Sequence, residues 1–147
     1  MPVAPARSML SSGLSFLVAL YRADTELLAL LNNRAAVYSQ VPQGLAPPYI
    51  QLISSSEFPF SQMGGTFGSL ATFIVRPTVD LPGLALLASL TSRIRELTHY
   101  RSDVLPGLAG RAFVLDVESS LEPIATTIGA KNYWQQPTQV RMRGYVV

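Results

Sequence analysis

His99 is the only histidine of the chain, and Asp103, four residues on, is the one local carboxylate able to orient it as a general base. The pattern also reads as a solvated helix-end residue, where a positive charge complements the helix dipole. Asp116 and Glu118 lie two apart on an alternating stretch, so they share one strand face and could serve as an acid–base or metal pair. No third ligand stands nearby, and the pair equally marks the exposed side of a strand. The serine clusters Ser54 to Ser56 and Ser119 to Ser120 fall in no G-x-S-x-G elbow, so they read as turn residues. Gly64, Gly65 and Gly68 match neither phosphate-loop spacing, and no helix follows them. The chain has no cysteine, which removes disulfides, thiolate zinc sites and thiol nucleophiles together. These residues point away from an enzyme and imply no cofactor and no bound metal.

Side chains suited to contact are more plentiful than side chains suited to catalysis. Phe58, Phe60, Met63 and Phe67 stud the otherwise polar stretch 54–68, SSSEFPFSQMGGTFG. Such residues either fill the core from a folded-back loop or meet another chain. Tyr133 and the lone Trp134 pose the same choice within 119–138, and both are of the type that anchors interfaces. Arg141 and Arg143 alternate with apolar residues on the last strand and face away from the core.

The elements that must hold these residues follow from periodicity. Leu10, Leu14, Leu17, Tyr21, Leu28 and Leu31 recur at helical steps, with Asp24 and Thr25 able to cap a second short helix after a joint near Ala23. Asn32 and Asn33 stop it. Ala35 to Ser54, AAVYSQVPQGLAPPYIQLIS, reads as two strands separated by a proline-punctuated crossing. Residues 54–68 read as a long loop or hairpin tip, and 66–76 as a strand. Asp80 and Pro82 then announce a helix with the stripe Leu87, Leu90, Ile94 and Leu97. Strands at 111–118 and from Val140 onward close the chain, separated by a long connection at 119–138.

With 147 residues, the chain suits one domain, 1–147, with residues 1–9 as an N-terminal arm. The order predicts an α+β fold: one mostly antiparallel sheet of about four to five strands with two or three helices on one face. Hydrophobic residues make up 48% and charged residues 14%, more apolar than a core requires, which points to a partner surface. Ten arginines and Lys131 are spread without a basic run, so the net charge of +2 describes no dedicated nucleic-acid binder. No apolar run approaches the ~20 residues that span a bilayer.

The helix LSFLVALYRADTELLALLNN, the strand entry AVYSQVPQG, the strand start APPYIQL, the helix ALLASLTSRIRELT and the strand RAFVLDVESS together cover residues 14 to 120. In this order they resemble the small tail-completion, or tail-terminator, proteins of long-tailed bacteriophages. VPQG followed by PPYI is the most distinctive part, and LEPIATTIGAKNYW replaces the family's usual acidic turn. The resemblance implies a structural virion protein, located at the head-proximal end of the tail after assembly in the bacterial cytoplasm. It implies a homo-oligomeric ring, typically a hexamer, that closes the tail tube, contacts the major tail tube protein and the head connector or stopper, and lets DNA pass without reading its sequence. A connector or stopper subunit is the alternative within assembly proteins. A small ligand-binding or enzymatic α+β domain using the Asp116 and Glu118 face is the alternative of another class.

Overall fold

The apolar stripe of the first thirty residues folds as two helices, α1 (Met9–Ala23) and α2 (Thr25–Leu30). In this computed structural model, residues 9–61, 67–99, 101–104 and 112–145 are described. Apart from Met9, the arm expected at residues 1–9 lies outside them. Asp24 forms the joint: its carboxylate accepts the Leu27 N–H at 2.9 Å and caps α2. Restarting the helix there shifts its phase, so Leu27 rather than Leu28 joins Leu17, Tyr21 and Leu31 in full burial. Asn32 and Asn33 adopt φ values of 58° and 59°, the left-handed conformation that asparagine tolerates better than most residues, and turn the chain.

The proline-punctuated stretch gives β1 (Val37–Tyr38) and β2 (Tyr49–Ser61). The two run parallel, with Val37 opposite Ile50 and Tyr38 opposite Gln51. Residues 39–48, which include the cis Pro47–Pro48 bond and Gly44 at φ 77°, return the chain without a helix. β3 (Phe67–Asp80) lies antiparallel to β2, with an irregularity between Ser54 and Ser56. The Gly83 N–H donates to the Asp80 carbonyl at 2.8 Å, closing the turn into α3 (Leu84–Thr98). Next come β4 (Arg101–Val104), β5 (Ala112–Ser120), β6 (Ile124–Ile128), β7 (Lys131–Gln135) and β8 (Thr138–Tyr145).

The sheet runs β1-β2-β3-β8-β5-β4, with β7 also on β3 and β6 on β7. Only the β1/β2 pair is parallel among the described strands. The outer columns of the sheet carry the count among the described residues to eight strands, beyond the four to five expected, while the α+β class and the mostly antiparallel pairing hold. Two expectations are corrected. Residues 54–61 are strand, not loop, while β3 begins at Phe67 within the strand expected at 66–76: Phe58 sits opposite Leu70 and Phe60 opposite Gly68, and the bulge had hidden the alternation in β2. Residues 62–66 lie outside the described part. The expected 119–138 connection holds the β6/β7 hairpin, whose two-residue turn begins at Gly129 with φ 64°.

β7 and β8 behave as one interrupted strand. Gln135 opposes Thr78 and Thr138 opposes Val75, so the register against β3 continues across the break. Gln136 and Pro137 fall opposite Pro77 and Arg76, where neither proline can donate a ladder bond. The three helices pack on one side of this sheet. Leu17, Tyr21, Leu87, Leu90 and Ile94 meet Ile50, Leu52, Phe73, Val75, Val140, Met142 and Leu115 in a single buried cluster.

Candidate functional site

The sheet face turned away from the helices carries most of the candidates that the structure describes. Register pairs place side chains of opposed residues on one face. One row crosses Phe58, Leu70, Arg143 and Val114, and the next crosses Thr72, Arg141 and Asp116. Ile53, Ile74 and Gln139 form a third row, and Gln51 and Arg76 a fourth. Phe58 is 61% exposed and Val114 40%, so this face mixes uncovered apolar side chains with three arginines.

The two expected arginines differ. Arg141 donates from Nε and Nη2 to the two Asp116 carboxylate oxygens at 3.0 and 3.4 Å, and Glu118 Oε2 lies 3.9 Å from Nε. Arg141 is therefore engaged within the chain, and the Asp116 and Glu118 face is occupied by a guanidinium. Arg143 is exposed between Leu70 and Val114 and makes no ion pair among the described residues. Arg76 Nη2 donates to Gln51 Oε1 at 2.6 Å, while its Nε is buried without a partner.

Tyr133 and Trp134 lie elsewhere. They oppose Asp80 and Val79 at the far end of β3, roughly 30 Å along the strand from Leu70 at ~3.3 Å per residue. Trp134 packs half-buried against the core. Tyr133 lines a groove of about 760 Å³ between the 41–47 segment and the β6/β7 turn, with Tyr49, Leu45 and Ile128. Phe60 and Phe67 belong to the facing ends of β2 and β3, and their side chains are outside the described part, as is Met63 altogether. The structure thus gathers Phe58, Arg141 and Arg143 on one face and separates them from Tyr133 and Trp134.

The catalytic candidates come apart. His99 ends α3, and its Nδ1 accepts the Val117 N–H at 3.1 Å, which ties the helix end to β5. It is a bridging acceptor rather than merely a solvated residue. Asp103 is on β4, because the helix has already stopped at Thr98, so helical spacing never brings the two together. Ser54 to Ser56 are within β2, and Ser120 Oγ contacts Thr138 Oγ1 at 3.2 Å. Among the described residues no three His, Asp or Glu side chains are grouped to hold a metal ion. Nor is any described helix long and apolar enough to cross a membrane.

Sequence reasoning missed the polar cluster around Arg93. Its guanidinium meets Asp24 at 2.7 Å, Glu96 at 3.0 Å and Glu26 at 3.3 Å, which clamps α3 to the α1/α2 joint. The Arg93–Glu96 step of three on one helix was visible; the pairing with Asp24, 69 residues away, was not. Arg93 holds the Asp24 carboxyl below the ordinary carboxylate range, chiefly through hydrogen bonding, with the Leu27 N–H adding to it against partial burial.

This architecture has been seen in a virion. The structure matches a chain from the virion of a native gene transfer agent particle with a TM-score of 0.69, at 22% sequence identity. The match covers 88% of this chain and 92% of that one, so the likeness is of whole folds. No family model matches the sequence, and no curated protein matches it.

Proposed function

We propose that this chain is a structural subunit of a phage-like virion, and that copies form a ring, a hexamer in the simplest case, closing the head-proximal end of the tail tube and joining tail to head. The observation that carries this reading is the fold likeness to a virion chain over nearly the full length of both. The residue order AVYSQVPQG, APPYIQL and RAFVLDVESS supports the finer assignment to the tail-terminator type. The chemistry agrees: Asp116 and Glu118 are taken up by Arg141, and the uncovered sheet face offers complementary surface instead of a reactive cleft. In this reading the ring contacts the major tail tube protein on one side and the connector or stopper on the other, with DNA passing through.

Light scattering on the purified chain tests the ring, with a mass six times that of the 15.9 kDa chain expected. A monomer at every concentration would sink it. Particles assembled without this chain test the position. A ring that caps a growing tube stops its polymerisation, so its loss is expected to give tubes of uncontrolled length, unjoined to heads. Unjoined tails of normal length would instead assign the subunit to the stopper position, and normally joined particles would reject both.

A further inference from the structure

The two outer strands of the sheet are open in different ways, and together they fit one another. β1 covers β2 only at Ile50 and Gln51. Past Gln51, no described strand pairs with that side of β2. The Ile50 N–H donates outward to the Ala36 carbonyl at 2.8 Å, and because backbone groups alternate along a strand, Leu52 and Ser54 also turn theirs outward. After the irregularity between Ser54 and Ser56, Glu57 opposes Ala71 and Pro59 opposes Ser69, which moves the outward set to Glu57 and Pro59. Pro59 has no N–H to give, and charge, proline and bulge are the devices that protect an exposed edge. The protection leaves one short window, Leu52 to Ser54. Space lies beside it: a groove of about 460 Å³ separates these residues from Leu14, Ser39 and Gln40.

At the other end of the strand order, β4 pairs among the described strands with β5 alone. It has four residues, a length that suits the window. Four successive antiparallel pairings, β2/β3, β3/β8, β8/β5 and β5/β4, make β4 run in the same direction as β2. A rotation about an axis along the strands preserves that direction, so β4 of one copy meets β2 of the next as a parallel neighbour, just as β1 does. We infer that the Leu52 to Ser54 edge of β2 takes β4 of a second copy, joining the sheets edge to edge around the assembly. This deepens the ring reading and rests on it. A contact between two different edges is heterologous, repeats around a closed ring, and leaves neither edge open.

The cysteine-free chain allows a clean test, with Ile53→Cys and Ser102→Cys, which the registers against Ile74 and Val114 place on the same sheet face, introduced singly and together and bridged by oxidation or by a short bismaleimide. The double variant is expected to give a covalent ladder ending at the mass that light scattering finds for the native assembly, while each single variant stays one chain. Ser54→Pro removes one outward N–H and leaves the β2/β3 ladder intact, so it is expected to keep its circular dichroism and lose at least tenfold in association. A double variant that assembles to full mass without cross-linking, or a folded Ser54→Pro that assembles like the parent, overturns the edge contact and leaves the ring standing. If Ser54→Pro fails to fold, the cross-link alone decides. A parent chain that remains monomeric overturns both the contact and the ring.

Discussion

Tyr21 and Thr98 show how a buried polar pair fixes two helices. The Thr98 hydroxyl donates to the Ile94 carbonyl at 2.6 Å, so at the 2.7 Å contact between the two side chains Tyr21 is the donor. Burial pushes the Tyr21 hydroxyl well above its usual range, opposed by its bond to Thr98, so it stays protonated and donating. Tyr21→Phe therefore loses one hydrogen bond and is expected to cost about 1 kcal/mol, whereas Thr98→Val strands a buried donor and is expected to cost about 1–3 kcal/mol. Thermal unfolding of both variants checks the order, and a Tyr21→Phe variant that loses more than Thr98→Val would contradict the assigned donor. Asp24 supplies a pH test. Its carboxyl ionises more readily folded than unfolded, so its contribution is complete above the unfolded value of about 3.9 and is lost as pH falls through the lower folded value. Asp24→Asn can still cap α2 but has no charge to lose. It is expected to be less stable than the parent at pH 7, with the gap narrowing toward pH 3; a gap that stays constant would mean that the ion pair contributes nothing.

At the scale of elements, α1 is held close to the sheet by Gly13. A Cβ there would lie 2.7 Å from Phe73 Cζ and 2.9 Å from Met142 Sδ, both within the core. Alanine is worth up to ~1 kcal/mol over glycine inside a helix, but overpacking a filled core costs about 1–3 kcal/mol. Gly13→Ala is thus expected to lower stability by roughly 1 kcal/mol in denaturant unfolding, and a gain would show that α1 can lift from the sheet at little cost. The helices were legible because their stripes are periodic and the Asp24 cap is a local signal. β2 was half legible: its first half follows Pro48 in apolar residues, while the bulge at Ser54 to Ser56 breaks the alternation that would have extended it to Ser61. The β6/β7 hairpin carried a readable signal, a Gly129–Ala130 turn between threonine-rich and aromatic flanks, which the long polar connection obscured. The continuation of β7 into β8 was not legible, since placing Pro77 opposite Gln136 and Pro137 opposite Arg76 depends on a register that no single stretch records.

Among the described residues the helices cover one sheet face and leave the other uncovered, and the site candidates were legible only as residue types because their grouping depends on cross-strand register. Arg141 and Arg143 look equivalent in sequence; opposite Asp116 and opposite Val114 they are not. Arg141→Glu would set a third carboxylate against Asp116 and Glu118, and like charges on paired strands are expected to cost roughly 1 kcal/mol of folding stability. Arg143→Glu removes no ion pair among the described residues, so its unfolding should stay within ~0.5 kcal/mol of the parent. Under the proposed function, Arg143→Glu is the variant whose folded subunits should fail in joining, because reversing an exposed charge at the rim of a contact acts on encounter and orientation. Unfolding curves paired with counts of joined particles separate the two effects. A well-folded Arg143→Glu chain that supports the proposed joining as well as the parent would remove this face from the contact surface, and would turn attention to the β2 and β4 edges and the Tyr133 groove among the described residues.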